Sequence, residues 1–257
     1  MKVTVCELPH EAAPLAEAWT RLCEHTAQEG SDFVLLPELA FVGPLWEKDR
    51  FDATNWENGV ADSNAWVQRL SELHASHVVS TRPVTVGRRY FNEGFCWSRV
   101  DDVKPLRRKY FLPNESGGWE ARWFARGDRE FPRFKAGDLY FGLNICTELW
   151  AVETYASYAS MGVHAILCPR ATATATTVKW LSAGTVAAVR SGAYCLSSNR
   201  VHLDGSCGGR GWIISPDGAV LANTSPETPF RTLDIDVDAI KATSKTYPRY
   251  VFGADTR

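Results

Sequence analysis

The hydrophobic positions near the start of the chain switch between the two periods that distinguish strands from helices. Residues 2–8 alternate like a strand, and residues 12–29 carry apolar side chains at helical spacing until Gly30 ends the run. Residues 32–38 (DFVLLPE) form a continuous apolar run that ends at a carboxylate, Glu38. Such a run is typical of a strand that is buried on both faces. The pattern therefore predicts a strand, a helix and a second strand.

The middle of the chain predicts a helix and then strands that pair with their neighbours. The helix is predicted over residues 62–75. Residues 78–88 and 90–100 have the pattern of two paired strands, and residues 104–110 predict a third short strand or an extended arm.

The second half of the chain returns to alternating strands and helices. Strands are predicted over residues 139–145, 164–169, 193–198, 211–214, 219–221 and 230–237, helices over 148–161 and 177–191, and an irregular tail after them. No Pro/Gly/Ser-rich linker and no short repeat divides the chain. We therefore predict one α/β domain over residues 1–257, with a mixed sheet or two layered sheets.

Composition and charge narrow the function classes. Of the 257 residues, 45% are apolar and 23% charged, as in ordinary globular domains, and the formal net charge is −2. This balance gives no attraction toward nucleic acid or anionic membranes. No run reaches the roughly 18 apolar residues that a membrane-spanning helix needs. The N-terminus alternates like a strand and lacks the long apolar core of a signal peptide.

The seven cysteines do not have the pattern of a disulfide framework or a zinc site. Their number is odd and they are scattered through predicted strands, which argues against structural disulfides. No C-x-x-C pair is present, so we expect no structural zinc site. These observations predict a reducing, cytoplasmic location.

Cys146 lies at the turn between the predicted strand 139–145 and the predicted helix 148–161. Ligands bind at the carboxyl ends of strands in open α/β sheets, and a helix start offers free N–H groups and the positive end of its dipole. Both features favour the thiolate, which is the nucleophilic form of cysteine. The alternative is a small apolar cysteine that closes a buried strand.

Two further polar residues, Glu38 and Lys109, also stand where apolar strands stop. A thiol needs a base to become a nucleophile, and a desolvated carboxylate such as Glu38 is suited to take its proton. A lysine nearby would balance the charge and donate a hydrogen bond to a developing oxyanion. Together the three residues suit attack on a carbonyl or nitrile carbon.

These residues and their flanks resemble the Glu-Lys-Cys triad of the nitrilase superfamily of carbon–nitrogen hydrolases. The matching segments are LLPE ending at Glu38, RKY around Lys109, NICTE around Cys146, WEARWF with Glu120, residues 162–169, Asn199-Arg200 and residues 211–218. Three motifs in order make the resemblance specific, and it extends from about residue 2 to 238. It implies a four-layer α-β-β-α sandwich, often dimerised through helices.

The resemblance also implies roles for individual residues. Glu38 would accept the Cys146 proton, and Lys109 with the backbone N–H of Thr147 would hold the oxyanion. Ammonia would leave, and water activated by Glu38 would hydrolyse the resulting thioester. Glu120 would orient Lys109 or assist that water. No metal or organic cofactor is implied, and the expected partner is a small molecule rather than nucleic acid or a membrane.

The pocket walls are less defined, because Thr147 and Arg170 depart from the pattern of many members of the superfamily. Arg170 could hold a substrate carboxylate in a bidentate contact, or it could pair with an internal carboxylate, Glu148 or Glu153. The departures therefore bear on the substrate and leave the reaction class unchanged.

Three more residues have open roles in the sequence. The ring faces of Trp119 and Trp150 are candidate walls of a substrate pocket. Glu115 competes with Glu120 for the role of the second glutamate.

The leading hypothesis is a cofactor-free hydrolase of a linear amide or an N-carbamoyl group, which we expect to form a homodimer or a higher homo-oligomer. A true nitrilase is the close alternative, because both reactions begin with thiolate attack. The other classes considered are a papain-like thiol hydrolase with His164 or His202 as its base, and a scaffold protein that has the fold without turnover.

Overall fold

The structure is a computed structural model that describes residues 1–243 and 245–252, and it has a mixed α/β fold. The strands are β1 (Lys2–Leu8), β2 (Phe33–Leu35), β3 (His77–Val86), β4 (Arg89–Ser98), β5 (Asp102–Arg108), β6 (Phe134–Ala136), β7 (Leu139–Leu143), β8 (Ala165–Arg170), β9 (Tyr194–Arg200), β10 (Trp212–Ile214), β11 (Val220–Asn223) and β12 (Phe230–Asp234). The α-helices are α1 (Ala12–Glu29), α2 (Ala53–Val67), α3 (Glu120–Trp123), α4 (Glu153–Ser160), α5 (Thr177–Ser191), α6 (Val237–Thr243) and α7 (Arg249–Phe252). The predicted α/β class is confirmed.

The strands form two halves that meet at β1. One half runs β5-β4-β3-β2-β1, with β12 also paired to β1, and the other runs β9-β8-β7-β6, with β10 and β11 added to β9. Strand β1 pairs in parallel with β2 through Val3, Thr4 and Val5, and with β9 through Glu7 and Leu8. The first strand is therefore a neighbour of both halves.

Alternate side chains of β1 enter two different hydrophobic cores. Val5 belongs to a core shared with β7, β8, α4 and α5, whereas Cys6 belongs to a core that includes Trp19 of α1. Between the halves, the rings of Phe33 and Phe141 meet edge to face at a centroid distance of 6.2 Å. Helices α4 and α5 thus share a core with strands of both halves, and α1 packs in the second core. No helix among residues 1–243 and 245–252 is both long enough and apolar enough to cross a membrane.

The helix predicted over residues 62–75 is placed wrongly by the sequence pattern. It begins at Ala53 and ends at Val67, because Asp52 caps its N-terminus by accepting the backbone N–H of Asn55 at 3.0 Å. Gly59 lies inside this helix and lets it approach Val42 closely, since a Cβ there would lie 2.9 Å from a Val42 methyl group.

The helix predicted over residues 148–161 is also wrong in part. A 3₁₀ helix, Cys146–Trp150, follows β7, and only then does α4 begin. The tail that was predicted to be irregular contains the short helices α6 and α7.

Five polar or charged residues lie at the carboxyl ends of strands that all point the same way. These strands are parallel along β7, β8, β9, β1, β2 and β3, and β5 has the same direction because β4 is antiparallel to both of its neighbours. The residues are Glu38 after β2, Lys109 after β5, Cys146 after β7, Arg170 at the end of β8 and Arg200 at the end of β9. This edge is where ligands bind in α/β sheets.

Candidate active site

Lys109 is enclosed between two carboxylates. Its Nζ atom lies 2.8 Å from Oε1 of Glu38 and 2.8 Å from Oε1 of Glu120, and all three residues are buried. Charge-assisted hydrogen bonds of this length are strong in a buried site of low dielectric constant. The structure therefore brings three of the four residues that the sequence nominated for catalysis into direct contact.

Asn92, on β4, connects Glu38 to Lys109. Its Nδ2 atom donates to Oε1 of Glu38 at 2.8 Å, and its carbonyl oxygen accepts the backbone N–H of Lys109 at 2.9 Å. Sequence reasoning did not identify this residue. A lone amide in the strand Tyr90-Phe91-Asn92 was the available signal, but its partners become visible only in the fold.

The segment that carries Glu38 is held from both sides. The backbone N–H of Glu38 donates to the carbonyl oxygen of Arg170 at 3.3 Å, and the Ser80 hydroxyl donates to the carbonyl oxygen of Pro37 at 2.7 Å. Leu39 has a positive φ of 45°, and its N–H donates to the Thr81 hydroxyl at 2.8 Å. The chain therefore turns sharply after the carboxylate, with hydrogen bonds that fix the turn.

Cys146 lies in the first turn after β7 with a φ of 50°. Residues other than glycine rarely adopt this region, and such outliers cluster at functional sites. The cysteine is 4% exposed, and the nearby backbone of Ala171 opposes the rise of its thiol pKa. The charges of Glu38, Lys109 and Glu120 all shift the pKa of the thiol, so the thiol lies within the range of their electric fields.

The Cys146 thiol is neutral in the resting site. Burial raises the pKa of this thiol far above its usual value, and the negative charge of Glu38 raises the pKa further, while Lys109 opposes the effect. The expectation that a helix start would favour the thiolate is therefore wrong. The effect of burial on the thiol pKa outweighs any effect of a helix start, because the helix that begins there is a 3₁₀ helix of only five residues. The thiol needs a base at the moment of attack.

The cluster of Lys109, Glu38 and Glu120 contains one ammonium and two carboxyl groups. Burial alone would lower the pKa of Lys109, but Glu120 and Glu38 raise the pKa well above its usual value. Burial raises the pKa of Glu120 to about 7, against the pull of Lys109 and with the support of Glu38. Lys109 thus stays charged, and Glu120 can hold or release a proton near neutral pH.

Glu148 and Arg107 form a second buried ion pair beside the cluster. Both guanidinium Nη atoms contact the carboxylate, with Nη2 at 3.0 Å from Oε1. The carboxylate also accepts the backbone N–H groups of Tyr110 at 2.7 Å and of Ile145 at 3.0 Å. Glu148 therefore ties the segment that carries the lysine to the segment that carries the thiol. From its sequence position alone, Glu148 is only a possible partner of Arg170.

Three of the four pocket candidates, Thr147, Trp119 and Trp150, lie in different surroundings. Thr147 is half-buried in the first turn of the 3₁₀ helix, where backbone N–H groups have no partner within the helix. Trp119 lines a surface cavity of about 430 Å³ together with residues 47–52. Trp150 is 47% exposed and packs on Trp180 of α5, with ring centroids 5.5 Å apart.

Arg170 is fully enclosed, and its guanidinium nitrogens are bound to neutral groups. Nε donates to the Ser197 hydroxyl, Nη1 to the Thr172 hydroxyl and Nη2 to the Arg210 carbonyl oxygen, each at 2.7 Å. The guanidinium also lies 4.0 Å from the ring centre of Trp212. The internal ion pair, one of the two alternatives for Arg170, is not formed among the described residues. Glu148 binds Arg107, and Glu153 lies 3.7 Å from Arg129.

One group of described residues has atoms placed for metal binding. The potential ligand atoms of His10, Glu11 and His202 lie within 4.8 Å of one another. His202, however, contacts Glu11 through Nε2 and Asp204 through Nδ1 at 2.5 Å. Because these ion pairs use both ring nitrogens of His202, the proximity of His10, Glu11 and His202 is explained by a charge network at the surface. His164, the other histidine considered as a base, accepts the backbone N–H of Tyr140.

Nearly the whole chain matches one known protein family. The family model described as carbon-nitrogen hydrolase matches residues 2–245. The chain belongs to the carbon–nitrogen hydrolase family. No curated protein matches this hydrolase in sequence.

Solved structures of other carbon–nitrogen hydrolases have the same fold. A carbon–nitrogen hydrolase from Helicobacter pylori G27 superposes with a TM-score of 0.82 at 17% identity, covering 98% of this chain and 94% of that one. XC1258 from Xanthomonas campestris, described with an arsenic adduct in its active site, gives 0.80 at 16% identity, with 98% and 97% covered. An amidase of the nitrilase superfamily from Nesterenkonia AN1, solved as a cysteine-to-serine mutant, gives 0.74 at 15% identity, with 99% and 97% covered.

Within this carbon–nitrogen hydrolase, the predicted catalytic residues arise from four separate segments. Glu38 follows β2, Lys109 follows β5, Glu120 begins α3 and Cys146 follows β7. The fold thus places an acid, an amine, a second acid and a thiol at one edge of the sheet. This arrangement is chemically equipped for attack on an electrophilic carbon.

Proposed function

We propose that this protein hydrolyses the C–N bond of a linear amide or an N-carbamoyl group through a thioester on Cys146. The observation that carries the proposal is the position of Lys109, whose buried ammonium bridges Glu38 and Glu120 beside the thiol. A buried amine held by two acids is well placed for charge that develops during a reaction.

The first half-reaction forms the thioester. Glu38 takes the proton of Cys146 as the sulfur bonds to the carbonyl carbon, and the carbonyl electron pair moves to oxygen. Lys109 Nζ has three N–H groups, and two of them serve the carboxylates, which leaves one for the oxyanion. The backbone N–H of Thr147 is the second donor. Glu38 then returns the proton to the nitrogen, the C–N bond breaks, and ammonia leaves.

The second half-reaction releases the acid. Glu38 accepts a proton from water while the water oxygen attacks the thioester carbon. The C–S bond then breaks, and the sulfur of Cys146 recovers its proton from Glu38. Glu120 keeps Lys109 in position through both steps. Loss of one oxyanion donor should slow the reaction on the order of 100-fold or more.

An ammonia-release panel tests the proposal. Wild type, Cys146→Ala, Glu38→Gln and a control variant, Cys23→Ala, are assayed on linear amides, N-carbamoyl amines and nitriles. We expect release from an amide or carbamoyl compound by wild type and Cys23→Ala, and none by the other two variants. Turnover of nitriles alone would instead identify a nitrilase, and equal rates for wild type and Cys146→Ala would refute the thiol mechanism.

Intact-mass spectrometry provides a second readout. An acyl group trapped on wild type during turnover, and absent from Cys146→Ala, is expected for a thioester route. A scaffold protein would show neither the adduct nor ammonia. We also propose that the protein is a cytoplasmic homodimer. The odd number of scattered cysteines favours a reducing location, and the superfamily resemblance implies dimers formed through helices. Sedimentation of the purified protein tests the assembly.

A further inference from the structure

Arg200, the last residue of β9, carries a buried guanidinium with unused hydrogen-bond donors. It is 1% exposed, and Nη2 donates to the carbonyl oxygen of Val42. Nε and Nη1 are buried and have no hydrogen-bond partner. Among residues 1–243 and 245–252, no carboxylate lies within 4.0 Å of its nitrogens. Trp46 faces the guanidinium, with its ring centre 5.6 Å away.

Such a group requires an explanation, because a buried charge without partners is unfavourable. Proteins rarely leave buried donors unpaired, and the exceptions often belong to binding or catalytic sites. Burial lowers the pKa of Arg200 to about 10, so the guanidinium still carries its charge at neutral pH. Arg170, by contrast, has a partner for each guanidinium nitrogen.

Arg200 also lies beside the candidate active site. It is on the strand edge that carries Cys146 and Glu38, and the Glu38 charge acts on it, as do Glu11 and Glu47. Its main hydrogen bond reaches Val42, four residues after Glu38. A cation in this position can attract a charged end of a small molecule whose other end reaches the thiol.

We propose that Arg200 binds the carboxylate of the substrate, so that the enzyme acts on amides or carbamoyl compounds with an anionic second end. This inference rests on the proposed function. Carboxylates are the natural partners of guanidinium groups, through short charge-assisted hydrogen bonds. Arg200, whose Nε and Nη1 atoms are unpaired, is therefore a better candidate for binding a substrate carboxylate than Arg170, whose guanidinium nitrogens all have partners.

Two amides of equal size separate charge recognition from shape recognition. Succinamate carries a carboxylate where 4-methylpentanamide carries an isopropyl group. We expect wild type to prefer succinamate by at least about tenfold in kcat/KM, since a site built around a charged partner discriminates strongly against an apolar analogue. Arg200→Met should lower this preference at least about tenfold, mainly through KM, and Arg200→Lys should restore part of it. The control Arg21→Met, which removes an exposed positive charge on α1, should leave the preference unchanged.

Binding measured without turnover separates this proposal from the proposed function. In the Cys146→Ala background, calorimetry is expected to show succinamate binding that Arg200→Met removes, whether or not the wild type releases ammonia. If wild type does not favour succinamate, or if Arg200→Met lowers kcat/KM for both amides equally, Arg200 has only a structural role and the proposal fails. Circular dichroism and thermal melting of each variant report whether the fold is retained.

Discussion

Arg107 and Glu148 form a buried ion pair that joins the strand before Lys109 to the turn that carries Cys146. Their side chains are 2% and 0% exposed, so neither charge has access to water. The pair holds two parts of the candidate site that lie 41 residues apart in the sequence. Its geometry should therefore matter for stability and for turnover together.

Replacing Glu148 by glutamine should weaken the fold and slow the reaction. The substitution keeps the shape but leaves the Arg107 charge buried without a counterion, which typically costs about 3–5 kcal/mol. We expect the free energy of unfolding, measured with urea, to fall by about 3 kcal/mol, and kcat to fall with it. The matched control is Glu153→Gln, because the Glu153–Arg129 pair is exposed and 3.7 Å apart. Equal losses in both variants would contradict this account.

Glu38 should control how fast Cys146 reacts with small electrophiles. Because burial keeps the thiol protonated, alkylation by iodoacetamide needs a base at the sulfur, and general bases contribute about 100-fold or more. Glu38→Gln should slow labelling of Cys146 by at least about 100-fold, followed by peptide mass spectrometry. Labelling of the half-buried Cys23 in the same samples is the control and should not change. A Cys146 rate independent of Glu38 would exclude Glu38 as the base.

Glu120 should give the folding equilibrium a specific pH dependence. Its pKa rises from 4.5 to about 7 in the folded protein, so the folded state binds the proton more tightly than the unfolded state. This contribution to stability is present below about pH 4.5 and is lost as the pH rises through about 7. Relative to Glu120→Gln, wild type should therefore lose unfolding free energy between about pH 5 and pH 8.

Urea titrations of both proteins at several pH values measure the Glu120 effect. The exposed Glu115→Gln variant is the control and should follow wild type across the same range. A constant difference between wild type and Glu120→Gln would show that Glu120 has no such titration.

Gly142 on β7 should tolerate no side chain. A Cβ there would lie 2.4 Å from the ring of Tyr158, and overpacking of this kind usually costs about 1–3 kcal/mol. Gly142→Ala should lower the unfolding free energy by that amount in urea denaturation. Gly43→Ala is the comparison, because nothing lies within 4 Å of a Cβ at that position. A neutral Gly142→Ala would mean that Tyr158 moves aside without cost.

The elements that the sequence predicts well are those with a clear local pattern. Helix α5 has the predicted bounds, Thr177–Ser191, because its apolar face and the C-terminal Gly192 are local signals. Helix α2 was misplaced because Gly59 within a polar stretch suggests a loop, while the packing against Val42 that requires glycine is a long-range contact. The spacing of apolar residues therefore predicts a helix better when the helix does not depend on a close contact with a distant part of the chain.

The residues of the candidate site also differ in whether a local sequence pattern or only a long-range contact reveals them. Glu38, Lys109 and Cys146 are recognisable because each follows an apolar strand and matches a short motif. Asn92 is not, because an amide in a strand has no distinctive local pattern. Arg200 belongs to the matching segment Asn199-Arg200, but nothing in that segment indicates an unpaired guanidinium. Their significance lies in partners found or missing across the fold, at Glu38 and around the unpaired guanidinium.

The pairing of β12 with β1 affects how the polypeptide can mature on the ribosome. Strand β12 covers β1 from Lys2 to Cys6, and the N-terminal ammonium contacts Asp234 at 2.7 Å. A nascent chain that has not reached Asp234 leaves that side of its first strand without a hydrogen-bonding neighbour, and open strand edges attract other chains. Prematurely terminated products should therefore be substrates for chaperones and proteases rather than partly active enzymes.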